Sequence, residues 1–385
     1  MNEPGPRTPF YWRLSGFYLF YFASLGALVP YWSLYLKSLS FSPREIGEIM
    51  AIIMATKIIS PNIWGWIADH SGKRMRIVRL GSLAGALAFA AVLFATSYWW
   101  IAIVMVVFSF FWNAVLPQFE AYTFSQLKES VHRYSAIRLW GSVGFILTVI
   151  VLGPILEERG TSLLPWAIVA LLAGIFLMSL AVPEQSTGYH HGEHDSLFKV
   201  IRRPEVFSLI LVVFLMQVSH GPYYTFYSIY MEEHGYSRSI IGMLWALGVV
   251  AEVLVFFYMH RLIPRFGLRK MLLFSLMMAA LRWSTVGWFV DNFAMMLAAQ
   301  LLHAATFGIF HSVAIQLFHR HFTGKNQGRG QAIYSSMSFG AGGALGSLVA
   351  GYTWVSIGPA ITYSGAAVIS VIAFIIAWRN IHTCQ

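Results

Sequence analysis

Charge is scarce in this chain. Asp, Glu, Lys and Arg make up 11% of 385 residues, where a soluble domain carries roughly 25%. That shortage excludes a water-soluble globular protein. Cysteine is almost missing: the single Cys384 excludes intrachain disulfides and any cysteine-based metal site. No Gly-x4-Gly-Lys-Ser/Thr run occurs, so there is no P-loop to hydrolyse ATP. No small-residue cleavage site follows the first apolar run, so no removable signal peptide is expected. What remains is apolar, with 57% of residues hydrophobic, as in a polytopic membrane protein.

Twelve apolar runs reach spanning length, at roughly 12–36, 46–68, 77–96, 99–125, 137–156, 163–182, 207–231, 239–259, 271–290, 293–318, 331–354 and 360–378. Lipid leaves an open chain no way to satisfy its backbone other than the α-helix, so an all-α membrane protein with twelve transmembrane helices is expected. The longest polar interruption, 183–206, divides the chain six plus six. This gives an N-terminal bundle over 1–183, a linker over 184–206 and a C-terminal bundle over 207–385.

The 26 Lys and Arg residues fall unevenly: nineteen on one side of the spans, four on the other, and Lys57, Arg138 and Arg282 within them. The positive-inside rule puts both termini and the linker in the cytoplasm. The net charge of +10 therefore belongs to the bilayer interface, and no nucleic-acid partner is expected.

The halves repeat. GWIADHSGKRM from Gly65 corresponds to HRLIPRFGLRK from His260, and RYSAIRLWGSVG from Arg133 to RGQAIYSSMSFG from Arg329, at offsets of 195 and 196. Near-constant offsets in one topology indicate a parallel repeat. Arg138 faces Tyr334 in that alignment, so its charge is not part of the shared scaffold.

Charged residues inside spans mark solute pathways, because a lone charge there costs several kcal/mol. Glu120 and Arg138 flank a short polar loop, each about nine residues up its helix, or ~13 Å, so they can pair at matched depth. Arg138 would donate a fork to substrate oxygens; the bland alternative is a structural salt bridge. Lys57 lies mid-span and should face a wet cavity, unless carbonyls freed at Pro61 satisfy it. His220, Glu252, Arg282 and His303 fall near mid-depth of spans 7 to 10. Glu252 would load and release a proton with His220 or His303; the alternative is a permanent Glu252–Arg282 pair among core histidines. His220, Tyr223, Tyr224 and Tyr227 share one helical face, as do Gln300, His303, Phe307 and His311. Three cations against two acids leave one cation unmatched, which favours an anionic substrate such as a carboxylate.

Other features are discounted. HHGEH at 190–194 reads as a solvated linker and not a metal site. Gly81/Gly85 and Gly342/Gly346 read as close-packing seams, and Trp99 and Trp100 as interfacial anchors. No metal and no cofactor other than the coupling proton is expected. An enzyme would need a nucleophile or metal set at one membrane face; His319 and His321 near Arg320 are the nearest candidate, and no acid lies close to them in sequence. A sensor would need a soluble domain that the chain does not show.

Gly65, Asp69, Gly72, Lys73 and Arg74 fit the Gly-x-x-x-Asp-x-x-Gly-basic-basic loop of the major facilitator superfamily, which this architecture resembles. The resemblance implies two six-helix bundles, a monomer, and a conformational gate at those residues. NAVLPQFEAY and RLWGSVGF are similar to lactose permease, which implies Asn113, Glu120, Arg138 and Phe145 as substrate contacts. QVSHGPYYTF, GVVAEV, LRW and QLLHAATF resemble bacterial 3-phenylpropionate transporters. Gln300, Thr306 and His220 depart from the permease's charged positions, so its proton route does not carry over. The expected function is proton-coupled uptake of a small aromatic carboxylate by alternating access. Lys57, Arg138, Phe145, Tyr223, Tyr224 and Tyr227 would surround it, and His220, Glu252, Arg282 and His303 would move the proton. A proton-linked oligosaccharide or nucleoside carrier is the alternative.

Overall fold

The computed structural model describes residues 8–127, 130, 133–184 and 197–382; the HHGEH segment lies outside them. Among the described residues every regular element is helical. The spans are α1 (Thr8–Ser38), α2 (Pro43–Ser71), α3 (Arg74–Leu93), α4 (Tyr98–Leu127), α5 (Tyr134–Arg159) and α6 (Thr161–Ala181). The second half continues with α7 (Pro204–Glu233), α8 (Arg238–Phe266), α9 (Leu268–Trp288), α10 (Phe293–His321), α11 (327–356) and α12 (Pro359–Asn380). Eleven of these are long and apolar enough to cross a membrane. The twelfth, α11, is equally long, but its many glycines and serines lower its hydropathy. The protein is an all-α membrane protein with twelve long helices and a short one at Leu197–Ile201 among the described residues.

The helices overrun their apolar runs by about a turn, because polar residues at the ends supply caps. At α2, the Ser42 N–H donates to Glu45 Oε2 at 2.8 Å and the Glu45 N–H to Ser42 Oγ at 3.3 Å, a reciprocal capping box. Ser237 and Asn292 cap α8 and α10 by accepting from Ile240 N and Met295 N. Large apolar side chains lie bare outward, among them Leu87, Trp166 and Val355, a surface tolerable only in hydrocarbon.

Among the described residues, three helices of the second half are interrupted within their spans. The α7 helix breaks at His220, ahead of Gly221-Pro222, where proline lacks the N–H that would continue the ladder. The α10 and α11 helices each contain a π-helical stretch, at Ala304–Ile309 and Ser336–Gly342. Such wide turns recur at functional sites.

The internal repeat is visible in the packing. In the first half α1 packs on α5 and α6, and α3 on α4 and α6; in the second, α7 packs on α11 and α12, and α9 on α10 and α12. Left-handed glycines sit at matching loops: Gly72 (φ 65°) with Gly267 (φ 77°), and Gly160 (φ 82°) with Gly358 (φ 87°). Each half also closes one end with an arginine on its third helix. Arg79 donates to the carbonyls of Ser179 (3.4 Å) and Val182 (2.7 Å) at the end of α6. Arg269 donates to those of Ile381 (2.8 Å) and Trp378 (2.7 Å) at the end of α12. A guanidinium on the last carbonyls of a helix satisfies acceptors and opposes the macrodipole. Arg79→Ala and Arg269→Ala should each lower stability by about 1 kcal/mol, read as a lower thermal-unfolding midpoint with binding unaffected.

The chain forms two compact units, with a boundary different from the expected 1–183 and 207–385. Phe41–Ile58, which takes in the first part of α2, clusters with the C-terminal half, while α2 from Ile59 onward stays with the N-terminal half. The cause is a glycine contact: a Cβ on Gly47 would lie 2.7 Å from Gly351 Cα on α11. Beside it Glu48 accepts from Arg44 Nε and from the Tyr352 hydroxyl, both at 2.9 Å. The expected seams are present. Gly81 lies against the Phe111 carbonyl, Gly342 against that of Phe214, and Gly346 against that of Val218. Gly340, the sequence counterpart of Gly144, meets Ile58 instead.

Candidate functional site

In the N-terminal unit, α4 carries Glu120 and α5 carries Arg138. Pairing at matched depth is present: Arg138 Nε stands 3.8 Å from Glu120 Oε1, with the side chains 31% and 29% exposed. That is attraction without a fork. Glu120 is held instead by the Tyr134 hydroxyl, which donates to Oε1 at 3.1 Å. The Arg138 guanidinium lies over the Phe22 ring at 3.7 Å and near the Tyr18 ring at 5.7 Å, both on α1. Among the described residues nothing accepts a hydrogen bond from its Nη atoms. Space for this arrangement comes from Gly141, where a Cβ would lie 2.7 Å from both Arg138 Nη1 and Phe22 Cδ2. The partly exposed, uncommitted edge of a guanidinium is a carboxylate receptor.

Around this pair, Tyr21 stacks on Trp112 (5.1 Å, 7°) and Phe17 on Phe119 (3.6 Å). Asn113 is buried on α4. Phe145 is buried as well, its backbone against Gly26 of α1. Sequence reading missed Tyr18, Phe22 and Tyr134. The first two belong to a legible aromatic stripe on α1 (Phe17, Tyr18, Tyr21, Phe22), and Tyr134 lies one turn before Arg138.

In the C-terminal unit, the four mid-depth residues divide. Arg282 is wholly enclosed, at 0% exposure. Its Nη1 contacts His303 Nδ1 and donates to Thr306 Oγ1, both at 3.0 Å, and its Nη2 donates to Gln300 Oε1 at 3.5 Å. The guanidinium lies over Tyr223 at 4.2 Å. His303 Nε2 stands 3.3 Å from Glu252 Oε2, so an imidazole interposes between the two charges that the bland reading paired directly. An imidazole between a carboxylate and a guanidinium can relay a proton toward the first while the second resists its arrival. Gly308, in the π-helical stretch, admits Glu252: a Cβ there would lie 3.3 Å from Glu252 Cγ. The face of α10 is continuous, with His303 stacked on Phe307 (9°) and Phe307 on His311 (6°).

His220 sits apart from this chain, at the break in α7. Its Nδ1 contacts the Met216 carbonyl at 2.8 Å, so Nδ1 carries the hydrogen, and its ring packs edge-on against Trp283. Tyr223 and Tyr227 are enclosed (1% and 0% exposed) among Trp245 and Trp283, and Tyr223 donates to Gln300 Oε1 at 2.9 Å. Tyr224 alone of the expected trio has surface showing. Lys57, also in this unit by its contacts, is half-buried and has no hydrogen bond or ion pair among the described residues.

The loop residues form a compact device within the N-terminal unit. Asp69 pairs with Arg74, whose Nη1 donates to Gln118 Oε1 on α4 at 2.7 Å. Gly72 takes the left-handed turn and Lys73 leads into α3. Gly65 lets α2 approach Gln118, a Cβ there lying 3.4 Å from its Nε2. Asp69 thus fastens its own loop to α4 through Arg74, and Gln118 is a partner that the loop motif alone does not reveal.

Comparison with known proteins agrees with this architecture. Residues 11–364 match the MFS_1 like family. The chain belongs to that family. It is 28% identical over 362 residues to a probable 3-phenylpropionic acid transporter of Escherichia coli, covering 90% of this chain and 92% of that protein. A maltose permease of Geobacillus stearothermophilus is 25% identical over 346 residues, covering 87% and 86%. The crystal structure of the nucleoside transporter NupG superposes with a TM-score of 0.83 at 15% identity, covering 96% of this chain and 99% of that one. As a member of the family the protein is a multi-pass membrane transporter of the major facilitator type, built to carry a small molecule across a bilayer.

Proposed function

We propose that the protein is a proton-coupled importer of a small aromatic carboxylate, working by alternating access in a bacterial inner membrane with both termini cytoplasmic. The observation that carries this reading is the Arg138 edge: a cation inside the membrane, partly exposed, whose Nη donors have no acceptor among the described residues. A carboxylate would complete that fork, and Phe22 and Tyr18 already offer ring surface beside it. Lys57 adds support: a cation in a membrane span with no ion pair among the described residues calls for an anion, and a sugar or nucleoside would leave it uncompensated. The similarity to a probable 3-phenylpropionic acid transporter points the same way. The chain Glu252–His303–Arg282 is the proton carrier of this reading.

Reconstituted protein should accumulate labelled 3-phenylpropionate under an inward proton gradient and should not accumulate maltose or uridine. Accumulation that survives a protonophore would remove the coupling; accumulation of the sugar or nucleoside would replace the substrate. Glu252→Gln should lower uphill accumulation by 10-fold or more, while exchange of labelled for unlabelled substrate across the vesicle continues. Unchanged uphill transport by that variant would take Glu252 out of the proton route.

A further inference from the structure

The N-terminal unit contains a carboxylate that serves as counter-ion to the residue proposed to hold the substrate. Before binding, Arg138 and Glu120 balance, one positive and one negative charge. A substrate carboxylate seated on the Arg138 edge brings a second anion to within a few ångströms of Glu120. One guanidinium cannot neutralise both, and the membrane interior tolerates the excess poorly. Three features show how the excess is relieved. Glu120 and Arg138 are 3.8 Å apart with no shared fork, so Glu120 can give up its partner without breaking a tight pair. Both side chains are about one-third exposed, so water reaches them. Tyr134 donates to Glu120 at 3.1 Å, and a hydroxyl that donates to a carboxylate can rotate to accept from a carboxylic acid.

We propose that Glu120 takes up one proton when a carboxylate binds Arg138, so that anion and proton enter at a single site of the N-terminal unit. This rests on the carboxylate reading above and adds a second proton acceptor to it. The balance is simple. One proton passes from bulk water to a Glu120 oxygen, the Glu120–Arg138 attraction gives way to substrate–Arg138, and Tyr134 turns from donor to acceptor. The site is neutral before and after. The titratable and charged groups facing Glu120 are Arg138 and Tyr134 on α5 and Tyr18 and Tyr21 on α1. Arg138 is the only cation among these four. With Glu252 carrying a further proton, each monovalent carboxylate would travel with two, and transport would move net positive charge inward.

The test is calorimetric titration of 3-phenylpropionate into purified full-length protein in buffers of different ionisation enthalpy, between pH 6 and 8. Wild type should take up a proton on binding, and its affinity should rise as pH falls, by up to tenfold per pH unit per proton. In Glu120→Gln the uptake should fall by one proton, and affinity at pH 8 should exceed that of wild type, because the neutral side chain no longer competes for Arg138. In Glu252→Gln the Glu120 proton should persist, which tests the proposal even if Glu120→Gln does not fold. Wild-type binding without proton uptake, an unchanged count in Glu120→Gln, or no uptake by Glu252→Gln would overturn it while leaving the carboxylate reading intact. Wild type that binds no carboxylate would overturn both.

Discussion

Arg138→Lys is expected to weaken carboxylate binding by at least about 30-fold, a loss of about 2 kcal/mol, while the protein folds normally. Lysine keeps the positive charge, so the attraction to Glu120 across 3.8 Å survives and the membrane interior gains no unbalanced anion. What it removes is shape. The guanidinium carbon lies over the Phe22 ring, 3.7 Å from its centroid, and a guanidinium holds its two Nη groups in one plane; an ammonium is a compact point charge that cannot form that fork. The measurement is the equilibrium affinity for 3-phenylpropionate beside thermal unfolding of the same preparation. Wild-type affinity in the lysine variant would remove Arg138 from substrate contact. A lowered melting point matching the affinity loss would make the residue structural.

Gly144→Ala is expected to cost about 3 kcal/mol or more and to deplete folded protein in the membrane. A Cβ at this position would stand 2.2 Å from the Leu19 carbonyl oxygen and 2.9 Å from its carbon. Both are backbone atoms, so no rotamer change can make room, and α5 must move away from α1. Arg138 rides on α5 while Phe22 and Tyr18 ride on α1, so that shift also opens the site. Gly365→Ala on α12 is the control: nothing lies within 4 Å of its Cβ position, and alanine favours the helix by about 1 kcal/mol. Retained folding and binding in Gly144→Ala would mean that the α1–α5 contact is less rigid than its geometry implies.

Much of the site was legible in residue order, for a reason specific to membranes. Lipid penalises buried charge so heavily that Lys57, Glu120, Arg138, Glu252 and Arg282 stand out from their runs without any structure. Depth follows from counting along a helix of fixed rise, which is why the Glu120–Arg138 pairing could be anticipated. Partner choice in the other unit could not. Residue counting left open whether Glu252 pairs permanently with Arg282 or exchanges a proton with His220 or His303. The structure interposes His303, since the π-helical stretch of α10 lets Gly308 admit Glu252 and the helix turns His303 toward Arg282. The tyrosine stripe on α7 shows the same limit. Periodicity puts Tyr223, Tyr224 and Tyr227 on one face, but the break at Gly221-Pro222 and the indoles of Trp245 and Trp283 enclose two of the three.

By itself the sequence determined a twelve-helix, two-half, parallel-repeat membrane protein and the identity of its interior charges. These follow from local quantities: run length, hydropathy, charge and the offset between like segments. Only the tertiary structure decided which α2 residues join which unit, that the Arg138 edge stands open beside Phe22, and that Tyr134 holds Glu120. Those depend on how closely two backbones approach at Gly47, Gly141 and Gly144, and close approach is a property of a pair of helices that neither one encodes alone.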